Sequence, residues 1–460
     1  MKRRDFLLSS GAAALGLAAA GRLLAQGPAT QELVIQKAAY RFRDSITQGL
    51  VSLSPDAPPP VLRGRVGKPM RLAVTNQTPD YTAMHWHGLR IPNAMDGVPY
   101  LTQMPIAPGE TFTYDFTPPD AGTYWYHPHC MTMAQMAHGL TGMMVIEEDS
   151  DTGFDSEETL NLRDFRLADD GSFLPYYTAR GAARGGTHGN VLTTNWDQDP
   201  VYDHTAGSLV RLRIANTDTT RIYRLHLGAA QARIIAWDGH PVRQLLALPS
   251  ADAPLYLGPG QRVDFALRMP EGEGQDVSVI AELPGRKTRI MAQLRSIGAS
   301  LARDLRDLPP LPENPVALPD LDRADMLEFV FGWTPEGGAP NDGLCGSLGY
   351  SFWSINRTPW AGDAATGTGP LAVLKRGKSY VLRLRNESPN LHPIHLHGLV
   401  FVPIRSNRRA LPPLLTDTAL LLKDEVIDIA LVADNPGDWA FHCHVIEHQK
   451  TGLAGYIRVT

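Results

Sequence analysis

Cysteine is scarce in this sequence, which has only three in 460 residues. So few thiols exclude a disulfide framework, and a metal that took one of them would leave at most a single bridge. Long runs of like charge are also missing, because 43 basic and 48 acidic residues are spread along the chain. The composition therefore argues against a nucleic-acid partner and against binding to a charged membrane surface.

Segments with helical periodicity are nearly absent after the N-terminus. Short alternating apolar stretches such as PMRLAVTNQT, LVRLRIANTD and SYVLRLRNES take their place, separated by many of the 37 prolines and 42 glycines. Alternation with a period of two is the pattern of half-buried strands. The sequence predicts an all-β protein, and sandwiches or barrels suit the frequent turns better than a parallel sheet.

A hydrophobic run of membrane-spanning length is lacking, although the N-terminus has a shorter one. MKRRDFLLSSGAAALGLAAA combines the pair Arg3 and Arg4 with a stretch rich in glycine and alanine, which falls below the ~20 residues that a span needs. We interpret residues 1–28 as a twin-arginine signal peptide. This predicts export to the periplasm by the twin-arginine machinery and a mature form without a membrane span. An uncleaved membrane anchor is the alternative.

A threefold repeat organises the rest of the chain. In each copy a strand-like segment ends in asparagine, and a glycine follows twelve residues later. The three pairs are Asn76 with Gly88, Asn216 with Gly228, and Asn386 with Gly398. HWHG and HLHG contain the first and third glycines, whereas LHLG contains the second. The repeat predicts three related β-sandwich domains, of which the outer two carry histidine ligands and the middle one does not.

The repeat also gives the expected domain boundaries. Residues 29–150 form the first domain, residues 151–305 the second and residues 326–460 the third. The proline-rich segment 306–325 is the expected linker between the last two. The domains with histidine pairs are therefore the first and the last.

Histidines occur in pairs separated by one residue, an arrangement that places both imidazoles on one face of a strand. The four pairs are His85 with His87, His127 with His129, His395 with His397, and His442 with His444. Eight imidazoles suit copper, zinc, iron or nickel by ligand type alone. A further set, Cys443 with His392 and His448, offers the thiolate and two imidazoles of a blue-copper electron-transfer site. Because Cys443 lies between two paired histidines, it would couple two copper centres through adjacent backbone.

The four motifs HWHG, HPH, HPIHLHG and HCHVIEH, in this order, resemble those of the three-domain multicopper oxidases, which include laccases and bacterial periplasmic copper oxidases. The resemblance covers essentially all of the mature chain and implies three consecutive cupredoxin-like Greek-key sandwiches. It also implies about four copper ions per chain. The ligands it assigns are His392, Cys443 and His448 for type 1 copper, His85 and His395 for type 2, and His87, His127, His129, His397, His442 and His444 for the type 3 pair.

The resemblance implies a monomeric oxidase that takes single electrons from a small reducing substrate at the type 1 copper and reduces dioxygen to water at a cluster between the first and third domains. The electrons are expected to arrive through an exposed edge of His392 or His448. Phenols, aromatic amines and metal ions are the candidate donors. A copper-defence cuprous oxidase is the alternative, and copper-free relatives with structural or cell-division roles lose the ligands that this chain keeps.

Dioxygen reduction consumes protons, so a carboxylate is expected near the three-copper cluster. Asp96 in NAMDGVPY lies where relatives carry an acidic proton donor, and a simple Asp-Gly turn is the other interpretation. The residue after His448 is acidic in some relatives but is Gln449 here. Glu447 is the candidate substitute for it.

Methionine is missing after Met326. A blue site commonly has a weak axial methionine, and Leu453 stands ten residues past Cys443, where that ligand would lie. The sequence predicts a three-coordinate type 1 copper of high reduction potential. The methionines between residues 131 and 144 are either core or a weak Cu(I) site. Cys130 and Cys345 are either a bridge between domains or two free thiols.

Overall fold

The computed structural model describes residues 29–42, 44–55, 58–335, 338, 343–363 and 369–460. The signal peptide predicted over residues 1–28 lies outside the described residues. Within them the chain is almost entirely strand, and the strands form six sheets arranged as three successive pairs. None of the helices in this part of the chain is long and apolar enough to cross a membrane.

The first pair of sheets contains eight strands, with a 3-10 turn at Asn93–Met95 and a short helix, α1, at Thr132–Ala137. The strands are β1 (Thr30–Phe42), β2 (Ser45–Ser52), β3 (Leu62–Arg65), β4 (Met70–Asn76), β5 (Met84–His87), β6 (Thr111–Phe116), β7 (Gly122–Pro128) and β8 (Gly142–Glu147). One sheet has the order β2-β1-β4-β6 and the other β3-β8-β7-β5. Val74, Trp86 and Tyr126 lie in the apolar core of this unit.

The second pair of sheets contains eleven strands and the helix α2 at Ala179–Ala182. The strands are β9 (Ser156–Phe165), β10 (Val191–Thr194), β11 (Val201–Thr205), β12 (Leu209–Asn216), β13 (Tyr223–His226), β14 (Gln231–Trp237), β15 (His240–Pro241), β16 (Leu255–Leu257), β17 (Arg262–Arg268), β18 (Asp276–Leu283) and β19 (Lys287–Ile297). The sheet orders are β10-β9-β12-β17-β14-β15 and β11-β19-β18-β13-β16. Leu225 and Leu227, the counterparts of paired histidines, lie in the core of this unit.

The third pair contains ten strands and the helix α3 at Ile446–Lys450. The strands are β20 (Asp325–Trp333), β21 (Trp353–Ile355), β22 (Ala372–Leu374), β23 (Ser379–Asn386), β24 (His392–Leu396), β25 (Phe401–Ser406), β26 (Thr418–Leu421), β27 (Val426–Val432), β28 (Gly437–Cys443) and β29 (Ala454–Val459). The sheet orders are β21-β20-β23-β27-β25 and β22-β29-β28-β24-β26. The three pairs of sheets confirm the predicted series of three β-sandwiches.

The boundaries proposed from the repeat fall between these sheets. β8 ends at Glu147 and β9 begins at Ser156. Residues 298–324, all of them described, contain one regular element, a 3-10 turn at Leu305–Asp307. The division at residues 150, 305 and 325 stays a prediction, because a connection between sheets does not show where an independently folding unit ends.

The repeated asparagine has the same structural role in all three sandwiches. It ends the strands β4, β12 and β23, and its buried side-chain amide donates to two backbone carbonyls while its oxygen accepts from the backbone N–H two residues later. The repeated glycine follows with a positive φ in each copy, between 60° and 88°. Each asparagine therefore ties a strand end to a turn, and the turn directs the next strand toward the position of the histidine pair.

Candidate metal centre

Eight buried histidines converge between the first and third sandwiches. In the first, β5 and β7 are antiparallel neighbours and place His85 opposite His127. In the third, β24 and β28 place His395 opposite His442. The partners of these four follow at the same strand ends, so each sandwich presents four imidazoles on one edge. The structure thus brings together all eight histidines predicted for the type 2 and type 3 sites.

Rings from the two sandwiches pack directly against each other. The ring centroids of His85 and His397 are 3.9 Å apart, and those of His87 and His395 are 3.8 Å apart. Three-residue groups whose ligand atoms all lie within 4.8 Å of one another are His85 with His395 and His397, His85 with His87 and His127, and His129 with His397 and His442. Two of these three groups contain residues of both sandwiches, so the cluster requires both domains.

One nitrogen of most of these rings is tied to an oxygen, and the other faces the cluster. His85 Nδ1 lies 2.7 Å from the carbonyl oxygen of Asp96, and His127 Nδ1 lies 3.0 Å from that of Pro128. The opposite Nε2 atoms of His85, His127 and His395 have no hydrogen-bond partner among the described residues. An imidazole with one nitrogen oriented by an oxygen and the other left open is the arrangement that metal ligands adopt.

Burial also keeps seven of the imidazoles neutral. Desolvation, reinforced by neighbouring rings, lowers the pKa of seven of the eight, namely His87, His127, His129, His395, His397, His442 and His444. For His442 the pKa falls to about 3. Only a neutral ring has a lone pair to give to a metal. The donor set therefore fits several soft or borderline metal ions, copper among them.

Asp96 contacts two of the eight histidines. Its Oδ2 lies 2.9 Å from His397 Nδ1 and its Oδ1 lies 3.3 Å from His85 Nδ1. The carboxylate is 1% exposed and reaches from the first sandwich to the third. Asp96 is therefore placed at the cluster, as expected from the sequence, with contacts that orient two rings.

Asp417 is a second carboxylate at the cluster, and the sequence did not indicate it. Its Oδ1 lies 3.1 Å from His87 Nε2 and its carbonyl oxygen 2.9 Å from His395 Nδ1. Arg262, from the middle sandwich, donates to both carboxylate oxygens at 2.9 and 2.8 Å. Burial raises the pKa of Asp417, but Arg262 and His87 outweigh it and hold the pKa well below its usual range.

No local signal in the sequence marks Asp417. It precedes β26 in an ordinary apolar segment, and Arg262 is 155 positions away along the chain. Asp417 meets His395 only because β26 pairs with β24, where Thr418 lies opposite His395. Finding it required the strand register, which a single sequence does not provide.

The second group of ligand atoms lies in the third sandwich. Cys443 Sγ is 3.6 Å from both His392 Nδ1 and His448 Nδ1, and these two nitrogens are 3.1 Å apart. All three residues are 0% exposed, and burial raises the pKa of the Cys443 thiol. An apolar pocket of this kind makes an uncompensated thiolate costly, so a bound cation is needed to hold it. The structure brings together the predicted type 1 set.

Each imidazole of this group is also held on its far side. His392 Nε2 lies 2.7 Å from Ser388 Oγ, and His448 Nε2 lies 2.5 Å from the carbonyl oxygen of Arg184. Neither ring has an exposed edge, so the expectation that electrons arrive through one is wrong for this structure. Leu453 is 0% exposed and belongs to the same apolar cluster as Cys443.

Glu447, the relay candidate on α3, and Gln449, which stands where some relatives have an acidic residue, differ in their surroundings. The buried carboxylate of Glu447 accepts hydrogen bonds from the backbone and hydroxyl of Thr187 and from the hydroxyl of Thr220, both in the middle part of the chain. Burial raises the pKa of Glu447. Gln449 instead places its Nε2 3.5 Å from His129 Nε2. Gln449, rather than Glu447, therefore makes the hydrogen bond to a histidine of the cluster.

The structure also bears on the alternatives left open for methionine and cysteine. Met133, Met136, Met143 and Met144 are at most 2% exposed and lie in the core, whereas Met131 is partly exposed. Cys130 and Cys345 form a disulfide between the first and third sandwiches, with their Cα atoms 4.6 Å apart. Because Cys130 follows His129, this bridge ties the edge of the cluster to the third sandwich.

A cavity of about 330 Å³ reaches the cluster from the outside. His129, His442 and Gln449 line its inner part, and residues of both outer sandwiches, including Tyr100 and Tyr456, line the rest. A small molecule can approach the cluster by this route. The eight-histidine cluster beside a thiolate–imidazole set, in a β-sandwich protein, defines a copper-dependent redox enzyme.

Comparisons with known proteins identify the family. Family models described as multicopper oxidase match residues 34–151 and 348–460. A multicopper oxidase structure from Pseudomonas thermotolerans has 38% sequence identity and a TM-score of 0.83, over 94% of this chain and all of that one. The chain belongs to the multicopper oxidases.

Two curated relatives are more distant. Multicopper oxidase MmcO of Mycobacterium tuberculosis is 29% identical, over 86% of this chain and 80% of the relative. The iron transport multicopper oxidase FET3 of Gibberella zeae is 26% identical, over 81% of this chain and 66% of the relative. As a member of this family, the protein is a copper enzyme that couples oxidation of a reducing substrate to reduction of dioxygen.

Proposed function

We propose that the protein is an exported, laccase-like oxidase whose donors are organic molecules oxidised one electron at a time. It would hold about four copper ions, with His392, Cys443 and His448 binding the type 1 copper. The observation that carries the proposal is the position of Cys443, 3.6 Å from both Nδ1 atoms and next in sequence to two histidines of the cluster. Bound copper would supply the reversible one-electron redox chemistry on which the proposed reaction depends.

The remaining ligands divide between the other two copper types. We assign the type 2 copper to His85 and His395, and the type 3 pair to His87, His127, His129, His397, His442 and His444. The grouping of His129 with His397 and His442 supports one half of the pair. The cavity at His129 and His442 gives dioxygen access to it.

The buried carboxylates Asp96 and Asp417 orient the ligand rings. Asp96 holds one nitrogen of His397 and one of His85, and Asp417 does the same for His87 and His395. Asp96 also remains the proposed proton donor, because it is the predicted acidic residue that contacts the cluster. The contacts of Glu447 with Thr187 and Thr220 give no support to a proton role for it.

Organic donors are favoured over Cu(I) by the position of the methionines. Accessible thioethers are ligands that suit Cu(I), but four of the five methionines between residues 131 and 144 are buried. Rates with a phenol panel, an aromatic amine, Cu(I), Fe(II) and Mn(II) test this on copper-loaded protein. We expect the highest kcat/KM with the organic donors, and a preference for Cu(I) would refute the assignment.

The proposed location is the periplasm, reached as a folded monomer through the twin-arginine machinery. The support is the Arg3 and Arg4 pair before a short apolar run. Fractionation of a host that expresses the chain tests it. We expect a periplasmic protein whose N-terminus lies between about residues 20 and 30, and replacing both arginines by lysine should retain the chain in the cytoplasm.

A further inference from the structure

The covered type 1 site raises the question of how a donor reaches it. His392 and His448 are both 0% exposed, and hydrogen bonds to Ser388 and to the backbone of Arg184 occupy their outer nitrogens. A donor in solution therefore touches neither ring. An electron must cross another group of the protein first.

Trp353 is the side chain that packs against both imidazoles. Its ring centroid lies 5.0 Å from that of His392 and 4.7 Å from that of His448. Trp353 is itself 0% exposed, and its Nε1 donates to the carbonyl oxygen of Ala182 at 2.7 Å. This hydrogen bond holds the indole in a fixed position over the ligand rings.

Trp333 continues the contact to the surface. It lies opposite Trp353 in the pairing of β20 with β21, and the two rings are stacked at 4.1 Å with an interplanar angle of 16°. Trp333 is 39% exposed. An unbroken series of ring contacts thus joins solvent to both imidazoles of the type 1 set.

We propose that Trp333 and Trp353 form the electron-transfer path by which bulky one-electron donors, such as polymeric phenols, reduce the type 1 centre. The inference rests on the proposed type 1 site. One electron leaves the donor at the exposed face of Trp333, and one arrives at the copper that His392 and His448 would hold. Both indoles are unchanged at the end, and a phenolic donor releases its proton to water as it becomes a phenoxyl radical. Dioxygen is the final oxidant.

Direct contact between the aromatic rings is the physical reason why electrons would follow this path. Electron tunnelling weakens with distance and weakens most across gaps without atoms, so stacked rings in contact transmit it better than a solvent-filled gap. Aromatic packing by itself stabilises the fold and does not require an electron to cross the two rings. A role limited to packing would therefore leave electron transfer unchanged when Trp333 is replaced.

The first test follows arrival of the electron directly. Ferrocene tethered to polyethylene glycol, too bulky to enter the protein, is mixed anaerobically with copper-loaded protein, and bleaching of the blue absorption is recorded by stopped flow. We expect Trp333→Ala to slow bleaching at least tenfold while copper content, blue absorption and type 1 potential stay the same. Trp333→Phe, which keeps a ring, should recover much of the rate.

Tyr350→Ala is the matched control. Tyr350 lies in the same sandwich and is 40% exposed, but it stacks on Phe352, at 5.3 Å, rather than on Trp353. We expect no change in the rate of bleaching. An equal loss in both variants, or no loss in Trp333→Ala, would overturn the inference. A wild-type protein without blue absorption would instead refute the proposed type 1 site.

A second test uses copper-free protein. Photogenerated tris(bipyridine)ruthenium(III) removes one electron from an accessible indole, and peptide mass spectrometry then locates the oxidised tryptophan. Because Trp353 is buried, we expect its oxidation to depend on Trp333 and to fall at least fivefold in Trp333→Leu, which removes the ring but keeps a side chain over Trp353. Equal oxidation of Trp353 with and without Trp333 would show that the two rings do not exchange electrons.

Discussion

The middle sandwich and the two outer sandwiches share the same repeated strand arrangement. They differ in the side chains that follow the repeated asparagine. After the repeated asparagine, the outer copies place paired histidines at a strand edge, whereas the middle copy places Leu225 and Leu227 in its own core. The features that all three copies share are therefore structural. Histidine ligands occupy the positions before the repeated glycine only in the two copies that face each other. A repeat identifies a fold, while the residues at fixed positions within it identify the chemistry.

The middle sandwich nevertheless supports the cluster. Arg262 begins β17 and reaches between the outer sandwiches, where it binds Asp417 and donates to the carbonyl oxygen of Thr123. Gly260 is close enough that an added Cβ would lie 3.0 Å from His87 and 3.2 Å from His444. The domain without ligands thus closes one side of the site.

The largest predicted effect comes from breaking the ion pair between Arg262 and Asp417. Asp417→Ala leaves Arg262 buried beside a weaker partner, Asp238 at 3.3 Å, and frees the ring of His87, whereas His395 keeps its contact with the backbone carbonyl of residue 417. Removing one member of a buried ion pair costs roughly 3–5 kcal/mol. We expect a loss of this size in the free energy of unfolding, together with reduced copper content, measured by denaturant titration and metal analysis.

Glu328→Ala is the control for this prediction. Glu328 also pairs with an arginine of the third sandwich, Arg385, but both side chains are exposed, so water replaces the lost contact. We expect a change of roughly 0–1 kcal/mol and unaltered copper content. If the two variants were equally stable, Arg262 and Asp417 would not be the link between the middle domain and the cluster.

Replacing the repeated asparagines should have an effect of intermediate size that differs between the middle and the third sandwich. Asn216→Ala and Asn386→Ala each remove two donors to buried carbonyls, which costs roughly 1–3 kcal/mol. Only Asn386 also orients Ser388, whose hydroxyl contacts His392. We therefore expect both variants to lose stability but only Asn386→Ala to change the blue absorption spectrum. A spectral change in Asn216→Ala as well would mean that the middle copy is not independent of the type 1 site.

The smallest predicted effect concerns the axial position. Leu453→Met places a weak thioether donor where the third sandwich has none, since methionine is missing after Met326. A thioether stabilises Cu(II), so the type 1 reduction potential should fall, and each ~59 mV corresponds to a tenfold change in a one-electron equilibrium. Redox titration of the blue absorption measures this. An unchanged potential at full copper occupancy would show that Leu453 does not face the copper.

Much of the site could be predicted because its ligands follow strand periodicity. The histidines of a pair such as His85 and His87 are separated by one residue, and that spacing alone places both on one strand face. Contacts that depend on strand register or domain packing could not be predicted. Asp417 reaches His395 only through the pairing of β26 with β24. The sequence predicts an exposed edge on His392 or His448, yet a carbonyl oxygen 264 positions earlier in the chain covers His448.

Copper analysis of wild-type protein beside Cys443→Ser tests the central claim most directly. Reconstituted wild-type protein should contain about four copper ions per chain and show a strong blue absorption. Cys443→Ser should lose that absorption and about one copper ion, while the buried cluster of eight histidines keeps the others. Wild-type protein that binds only zinc, or that takes up copper without blue absorption, would contradict the assignment of Cys443, His392 and His448 as a type 1 site coupled to a three-copper cluster.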